Sequence, residues 1–212
     1  MTNTLDKKHW YDGSFYAKLI DPWTGELRDV ISSFIENDAS VVDVACGTGA
    51  LAIALSQKCK RVVGVELSSK MFMYANQRKA DGSHPNVEFV HSDAQRLVDA
   101  FDTRFDYATI SFALHEMSAE DRIIVVNQMR LLAPKIIIAD FLAPLPQNLK
   151  GMITALMEFM AGMDHFNGFR SFVYSGGIDN ILHQCGLKIE DEVIDKTNSY
   201  KVTKASSSNS SA

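Results

Sequence analysis

The 212 residues are 46% hydrophobic, with 21 basic against 26 acidic groups and a net charge of −5. That is enough apolar mass for one domain with a full-sized core, and the chain lacks the lysine or arginine run that a nucleic-acid partner would require. Three cysteines, odd in number and without metal-ligand spacing, point to a reducing, cytoplasmic setting and to no metal site, and no apolar run reaches the ~18 residues of an integral membrane segment.

Residues 1–8 read as a polar tail. Trp10, Tyr11, Phe15, Tyr16, Leu19 and Ile20 then follow an aromatic-rich helical pattern that Asp21-Pro22 breaks. These aromatics suit either core packing or a flap over a pocket. Leu27, Val30, Ile31, Phe34 and Ile35 continue at helical spacing. Val41, Val42 and Val44 predict a short strand buried on both faces, running into Gly47-Thr48-Gly49 and a helix over 50–55. Glycines there let the backbone come close to a ligand. Arg61 to Val65 predicts a second strand with Glu66 at its carboxyl end, where a carboxylate can accept from both hydroxyls of a ribose. Ser68 and Ser69 cap a helix to about Lys79. Val87 to His91 is a third strand, followed by Asp93 and a short helical stretch from Ala94 to Val98. A fourth strand covers 106–111. Ser118-Ala119-Glu120-Asp121 opens a helix that Pro134 ends, and Lys135 to Asp140 is the fifth strand. Strands alternating with helices predict a parallel α/β sheet.

The last third differs. Met152, Leu156, Phe159, Met160 and Met163 share one helical face, which reads as core, with an apolar pocket wall as the alternative. Gly176-Gly177 opens another helix ending at Gly186. Leu187 to Val193 alternates and can pair with Tyr200 to Thr203 across Lys196-Thr197-Asn198. Residues 205–212 are low in complexity and are expected to be disordered. The chain thus reads as a single domain over 1–204, with an N-terminal flap at about 9–36 and a helical lid insertion at about 142–175.

An acid at each of three strand ends selects among adenosine cofactors. Asp43 beside the glycine turn would repel a pyrophosphate and attract an ammonium. With Glu66 for a ribose and Asp93 for an adenine amine, the trio suits S-adenosylmethionine. A nicotinamide cofactor is the alternative for a G-x-G-x-x-A pattern.

Asp43-Val44-Ala45-Cys46-Gly47-Thr48-Gly49 resembles the first motif of class I S-adenosylmethionine-dependent methyltransferases. Glu66 resembles their ribose acid, Ser92-Asp93-Ala94 their adenine motif, and Phe105-Asp106-Tyr107 with Ile110-Ser111 their fourth strand. Within that family the chain is most similar to small-molecule enzymes of the ubiquinone/menaquinone-biosynthesis type. The resemblance implies a Rossmann-like, mostly parallel seven-stranded sheet with helices on both faces and an antiparallel C-terminal strand. It also implies S-adenosyl-L-methionine as cofactor and S-adenosyl-L-homocysteine as product. Asp43, Ala45, Gly47, Gly49 and Ser111 would hold the methionine end. Glu66 would take the ribose, and Leu67, Asp93 and Ala94 the adenine. Tyr11 would close the pocket.

Methyl transfer from a sulfonium needs alignment more than covalent help. A base serves only an acceptor that must lose a proton, and His115, with Tyr11, is the candidate for catalysis. Its other reading is a histidine bonded to backbone. Glu116 stands where many relatives carry a second histidine. Asp164-His165 and Tyr174 read as lid filler. No Asn-Pro-Pro-Tyr run follows the fourth strand, and no cysteine is placed as a nucleophile, which disfavours nucleic-acid bases as acceptors. The expected activity is methyl transfer to a small, apolar or amphipathic acceptor by in-line displacement. A cofactor-binding protein without turnover and a nicotinamide-dependent oxidoreductase are the alternatives. Nothing in the residues fixes an oligomeric state.

Overall fold

The computed structural model describes residues 25–80, 83–160 and 162–207. In chain order, helix α1 (Gly25–Ser33) leads to β1 (Ser40–Val44), α2 (Ala50–Leu55), β2 (Arg61–Glu66), α3 (Ser69–Lys79) and β3 (Val87–His91). A 3₁₀ segment (Ala94–Ala100), β4 (Tyr107–Ser111), a 3₁₀ turn (Leu114–Glu116), α4 (Ala119–Leu132) and β5 (Lys135–Phe141) follow. The chain continues through α5 (Leu149–Met160), α6 (Met163–Tyr174), α7 (Gly177–Gln184), β6 (Leu187–Ile194) and β7 (Tyr200–Ser207).

The strands form one seven-stranded sheet in the order β3-β2-β1-β4-β5-β7-β6. The first five pair in parallel, and β7 runs antiparallel to both β5 and β6. This is the architecture expected from the sequence. Its valine and isoleucine runs are apolar on both sides because both sides are covered. Val42, Val44, Val63, Val65, Ile110, Ile136 and Ile138 pack with α4, α6 and α7, whereas Val41, Val62, Tyr107 and Ile137 pack with α1, α2 and α3. The chain builds outward from β1 to β3, then returns to start β4 on the other side of β1. That reversal opens a crevice beyond the carboxyl ends of β1 and β4.

Local signals act as expected at several boundaries. Ser68 caps α3, and Ser118 caps α4 by accepting from the Asp121 amide at 3.1 Å. Gly176 and Gly186 flank α7 with φ of 95° and 64°.

Two expectations are corrected. The disordered tail does not begin at Ala205: β7 runs to Ser207, with Ala205 and Ser206 buried. Lys135 pairs with Ser206 and Leu187 with Ser207, so small side chains fit where two neighbouring strands claim the backbone. The methionine-rich face is not core either. Met152, Leu156, Phe159 and Met160 of α5 are 50–74% exposed, because α5 packs chiefly on α6 and not on the sheet. The pattern breaks at Gly162, giving two helices. Among the described residues, no helix is long and apolar enough to cross a membrane.

Candidate functional site

A cavity of about 320 Å³ lies at the reversal point, lined from Ala45, Cys46, Gly47 and Thr48 after β1, from Glu66 and Leu67 after β2, and from Ser92, Asp93 and Ala94 after β3. Ser111, Phe112 and Ala113 after β4 complete its floor, and Leu27, Arg28 and Ile31 of α1 form one wall.

Glu66 is the most constrained of these. Its Oε2 accepts from the Gly47 amide at 2.9 Å and its Oε1 from the Ser68 amide at 2.7 Å. The carboxylate is thereby locked to the glycine turn and to the start of α3. Gly47 has φ of 56°, and a Cβ built there would meet nothing within 4 Å. The turn therefore leaves open space where a ligand can approach the backbone. Ala45 and Phe112 also hold positive φ, 54° and 48°. Both line the cavity, and such backbone costs of order 1–3 kcal/mol at a non-glycine residue.

Ala45, Gly47, Glu66, Leu67, Asp93, Ala94 and Ser111 are brought together around this cavity. Asp93 also caps the following 3₁₀ segment, its Oδ1 accepting from the Gln95 amide at 2.9 Å. Asp43 and Gly49 lie behind the lining. Gly49, with φ of 74°, sits over the Phe89 ring, where a Cβ would come within 2.4 Å of it. Asp43 is 1% exposed, because strand alternation turns it beneath the turn. Oδ1 of Asp43 accepts from Thr109, and Oδ2 is buried with no hydrogen-bond partner among the described residues. Burial, opposed by Thr109 and reinforced by the charge of Glu66, pushes the Asp43 carboxyl up to about 7. Burial likewise pushes the Cys46 thiol well up, with Asp43 and Glu66 adding to it, so this sulfur is a poor nucleophile. Tyr11 lies outside the described residues.

His115 stands apart from the cavity lining. It is 3% exposed and does not line the cavity. Asp140, at the end of β5, draws it inward: Oδ1 lies 2.7 Å from His115 Nδ1, and Oδ2 accepts from the His115 amide at 3.2 Å. Burial disfavours the imidazolium, but Asp140 and more distant carboxylates outweigh it and raise the His115 pKa. The neighbouring Glu116 reaches the cavity instead. It lies 3.0 Å from Nε2 of His165, whose Nδ1 is 2.9 Å from Glu158. Burial again opposes the charge on His165, and the two glutamates overcome it, raising its pKa to about 9.

Three lining features are missed by sequence reading. Arg28 enters by the packing of α1, which helical spacing cannot aim. Gln95 and Asp121 meet across the cavity edge at 2.9 Å although they lie far apart in the chain. Phe112 lines the wall only because its backbone adopts positive φ.

Residues 41–135 match the family described as "Methyltransferase domain". Demethylmenaquinone methyltransferase of Bacillus subtilis (strain 168) is 33% identical over 99 residues, 45% of this chain and 41% of that protein. Human tRNA (uracil-5-)-methyltransferase homolog A is 40% identical over 80 residues, 37% of this chain and 13% of that protein. The chain thus spans less than half the length of these curated relatives. The crystal structure of magnesium protoporphyrin IX methyltransferase from Synechocystis PCC 6803 with bound SAH superposes with a TM-score of 0.64 at 19% identity, over 86% of this chain and 83% of that one. At that identity the likeness speaks to the fold. Residues 41–135 thus match the methyltransferase-domain family, and the sheet built around them shares its fold with the solved methyltransferase structure.

Proposed function

We propose that the chain transfers a methyl group from S-adenosylmethionine to a small, apolar or amphipathic acceptor. The observation that carries this reading is the Glu66 carboxylate, held by the Gly47 and Ser68 amides at the cavity floor. The residues fit the cofactor: Gly47 leaves a cradle that a Cβ would fill, and Asp43 keeps one buried oxygen with no hydrogen-bond partner among the described residues.

When bound, the cofactor supplies a methyl carbon already activated by a sulfonium. Glu66 would accept from the ribose hydroxyls. Asp93 and the Ala94 amide would read the adenine beside Leu67. Ala45, Gly47 and Ser111 would hold the methionine end, with Asp43 beneath attracting its ammonium. Arg28 offers a cation to a carboxylate. Holding donor and acceptor in line, away from water, can supply roughly 7–11 kcal/mol of barrier reduction at its upper end. Phe112, Ala113 and Met117 give the acceptor side an apolar wall, which Phe141, tilted against Phe112 at 5.1 Å, and Tyr200, edge-on to it at 5.6 Å, support. Helices α5 and α6 would act as the lid, since α6 packs on the 3₁₀ turn carrying Glu116. Arg28 is the sole cationic side chain among the described lining residues, which favours a small molecule over RNA.

The test is methyl uptake from labelled S-adenosylmethionine by a panel of apolar and amphipathic small molecules, with tRNA in parallel. Transfer to a small molecule is the expected result. Transfer to tRNA alone, or cofactor binding with no transfer to any acceptor, would overturn this reading. Stabilisation by NADH but not by S-adenosylhomocysteine would overturn the cofactor assignment.

A further inference from the structure

Beside the cavity, two histidines and one glutamate converge. His115 on the 3₁₀ turn, Glu158 on α5 and His165 on α6 each offer a ligand atom, and these atoms all lie within 4.8 Å of one another. Each imidazole has one nitrogen occupied by a different carboxylate: Asp140 holds Nδ1 of His115 at 2.7 Å, and Glu116 lies 3.0 Å from Nε2 of His165. The remaining nitrogens, Nε2 of His115 and Nδ1 of His165, approach the same atom, Oε2 of Glu158, at 3.7 and 2.9 Å. Nδ1 of His165 and Oε2 of Glu158 face each other as an ion pair at 2.9 Å, and both are buried with no hydrogen-bond partner among the described residues.

We propose that His115, Glu158 and His165 form a binding site for a divalent transition-metal cation of the zinc class. A carboxylate behind each histidine fixes its tautomer and aims the free nitrogen, the usual outer arrangement of a metal-bound imidazole. Metal–nitrogen and metal–oxygen bonds of about 2.0–2.2 Å in a tetrahedron separate neighbouring donors by about 3.4 Å. The two separations from Glu158, 2.9 and 3.7 Å, bracket that value, and the two imidazole nitrogens lie within 4.8 Å of each other. Two imidazoles with one carboxylate favour zinc, cobalt or iron over magnesium and calcium, which prefer oxygen donors. The site is closed around by phenylalanines: Phe141 lies 4.8 Å from the His115 ring and Phe169 6.2 Å. Gly168 of α6 makes the close approach possible, since a Cβ there would come within 2.8 Å of the Glu116 carbonyl oxygen. A bound cation would join α5 and α6 to the turn that walls the cavity. No sequence spacing marks the set, because His115 is distant in the chain from Glu158 and His165. A cation bound there would depart from the absence of a metal site expected from the cysteines. The site does not depend on the identity of the methyl acceptor.

The full chain, stripped by a chelator and dialysed, is titrated with Co(II) and followed by visible absorption, and with Zn(II) and Mg(II) as competitors. Saturable uptake of about one Co(II) per chain is expected, with d–d bands of a low-coordinate nitrogen/oxygen site, displaced by Zn(II) and not by Mg(II). Zn(II) should also raise the melting temperature by mass action. Glu158→Gln and His165→Gln should each weaken Co(II) binding by roughly tenfold or more, while His183→Ala, an exposed control on α7, leaves it unchanged. Far-UV circular dichroism checks that the variants are folded, and the near-isosteric Glu158→Gln decides if His165→Gln is not. Absence of saturable Co(II) uptake by the parent chain, or undiminished uptake in Glu158→Gln, would show that protons alone hold the cluster and would overturn the site.

Discussion

Asp43 and Thr109 lie opposite each other on neighbouring strands, and the Thr109 hydroxyl donates to Oδ1 of Asp43 at 2.9 Å. That bond satisfies only half of a fully enclosed carboxylate. A strand-interior acid with one spare oxygen below a glycine turn is a poor stabiliser of the empty protein and a good anchor for a cationic ligand.

The consequence is a pH dependence. Burial, chiefly, raises the folded-state pKa of Asp43 from 3.8 to about 7. Between those values the folded chain retains a proton that the unfolded chain has lost. Stability from this group is therefore complete below the lower value and falls as pH rises toward about 7, by about 1.4 kcal/mol per unit. Urea denaturation of the ligand-free protein at pH 5 and pH 6.5, below the range in which the raised His165 adds a slope of its own, should show the loss, and Asp43→Asn should remove most of the difference. An equal slope in the variant would contradict the burial argument.

Gly47 and Gly64 separate binding from folding. A Cβ at Gly47 meets no protein atom but occupies the cradle at a positive φ, so Gly47→Ala should cost about 1–2 kcal/mol of stability and abolish most cofactor affinity. A Cβ at Gly64 would lie 2.6 Å from the Phe89 ring and 2.8 Å from Cys46 Sγ. Gly64→Ala should destabilise by about 1–3 kcal/mol through overpacking. Thermal unfolding and calorimetric titration with S-adenosylhomocysteine, run on both variants, distinguish the two effects.

Arg122 of α4 ties the acceptor side together. Although only 1% exposed, it donates to the Leu114 carbonyl at 2.9 Å, the Gly168 carbonyl at 2.6 Å and the Ser171 hydroxyl at 3.3 Å. Its guanidinium also lies over Phe172 at 5.4 Å. Arg122→Met keeps the length and strands these acceptors. Chemical denaturation should register a loss of about 3 kcal/mol, and limited proteolysis should cut first around α5 and α6.

Much of this was legible in the residues. Valine runs, glycine turns and serine caps are local signals, and they mark the strands, the crevice and Glu66 because strand ends and turns are decided over a few residues. Asp43 was legible as an acid near the turn but not as one facing under it, since the strand's two faces are both apolar and alternation carries no polarity cue. The inward turn of His115 leaves no local mark, because its partner, Asp140, comes from β5. Arg122 and the His115–Glu158–His165 cluster depend on how helices dock, which no short spacing encodes. The α5 methionines had the period of a core helix but found only α6 to pack on.

Glu66 carries the nucleoside assignment, and its part is measured directly by titrating S-adenosylhomocysteine into the parent chain and Glu66→Ala by calorimetry, with circular dichroism confirming both are folded. Losing charge-assisted bonds to two ribose hydroxyls predicts a weakening of about 2–4 kcal/mol, a fall of roughly 30- to 1000-fold in affinity. An unchanged Kd in the folded variant would contradict the assignment of this cavity to the nucleoside.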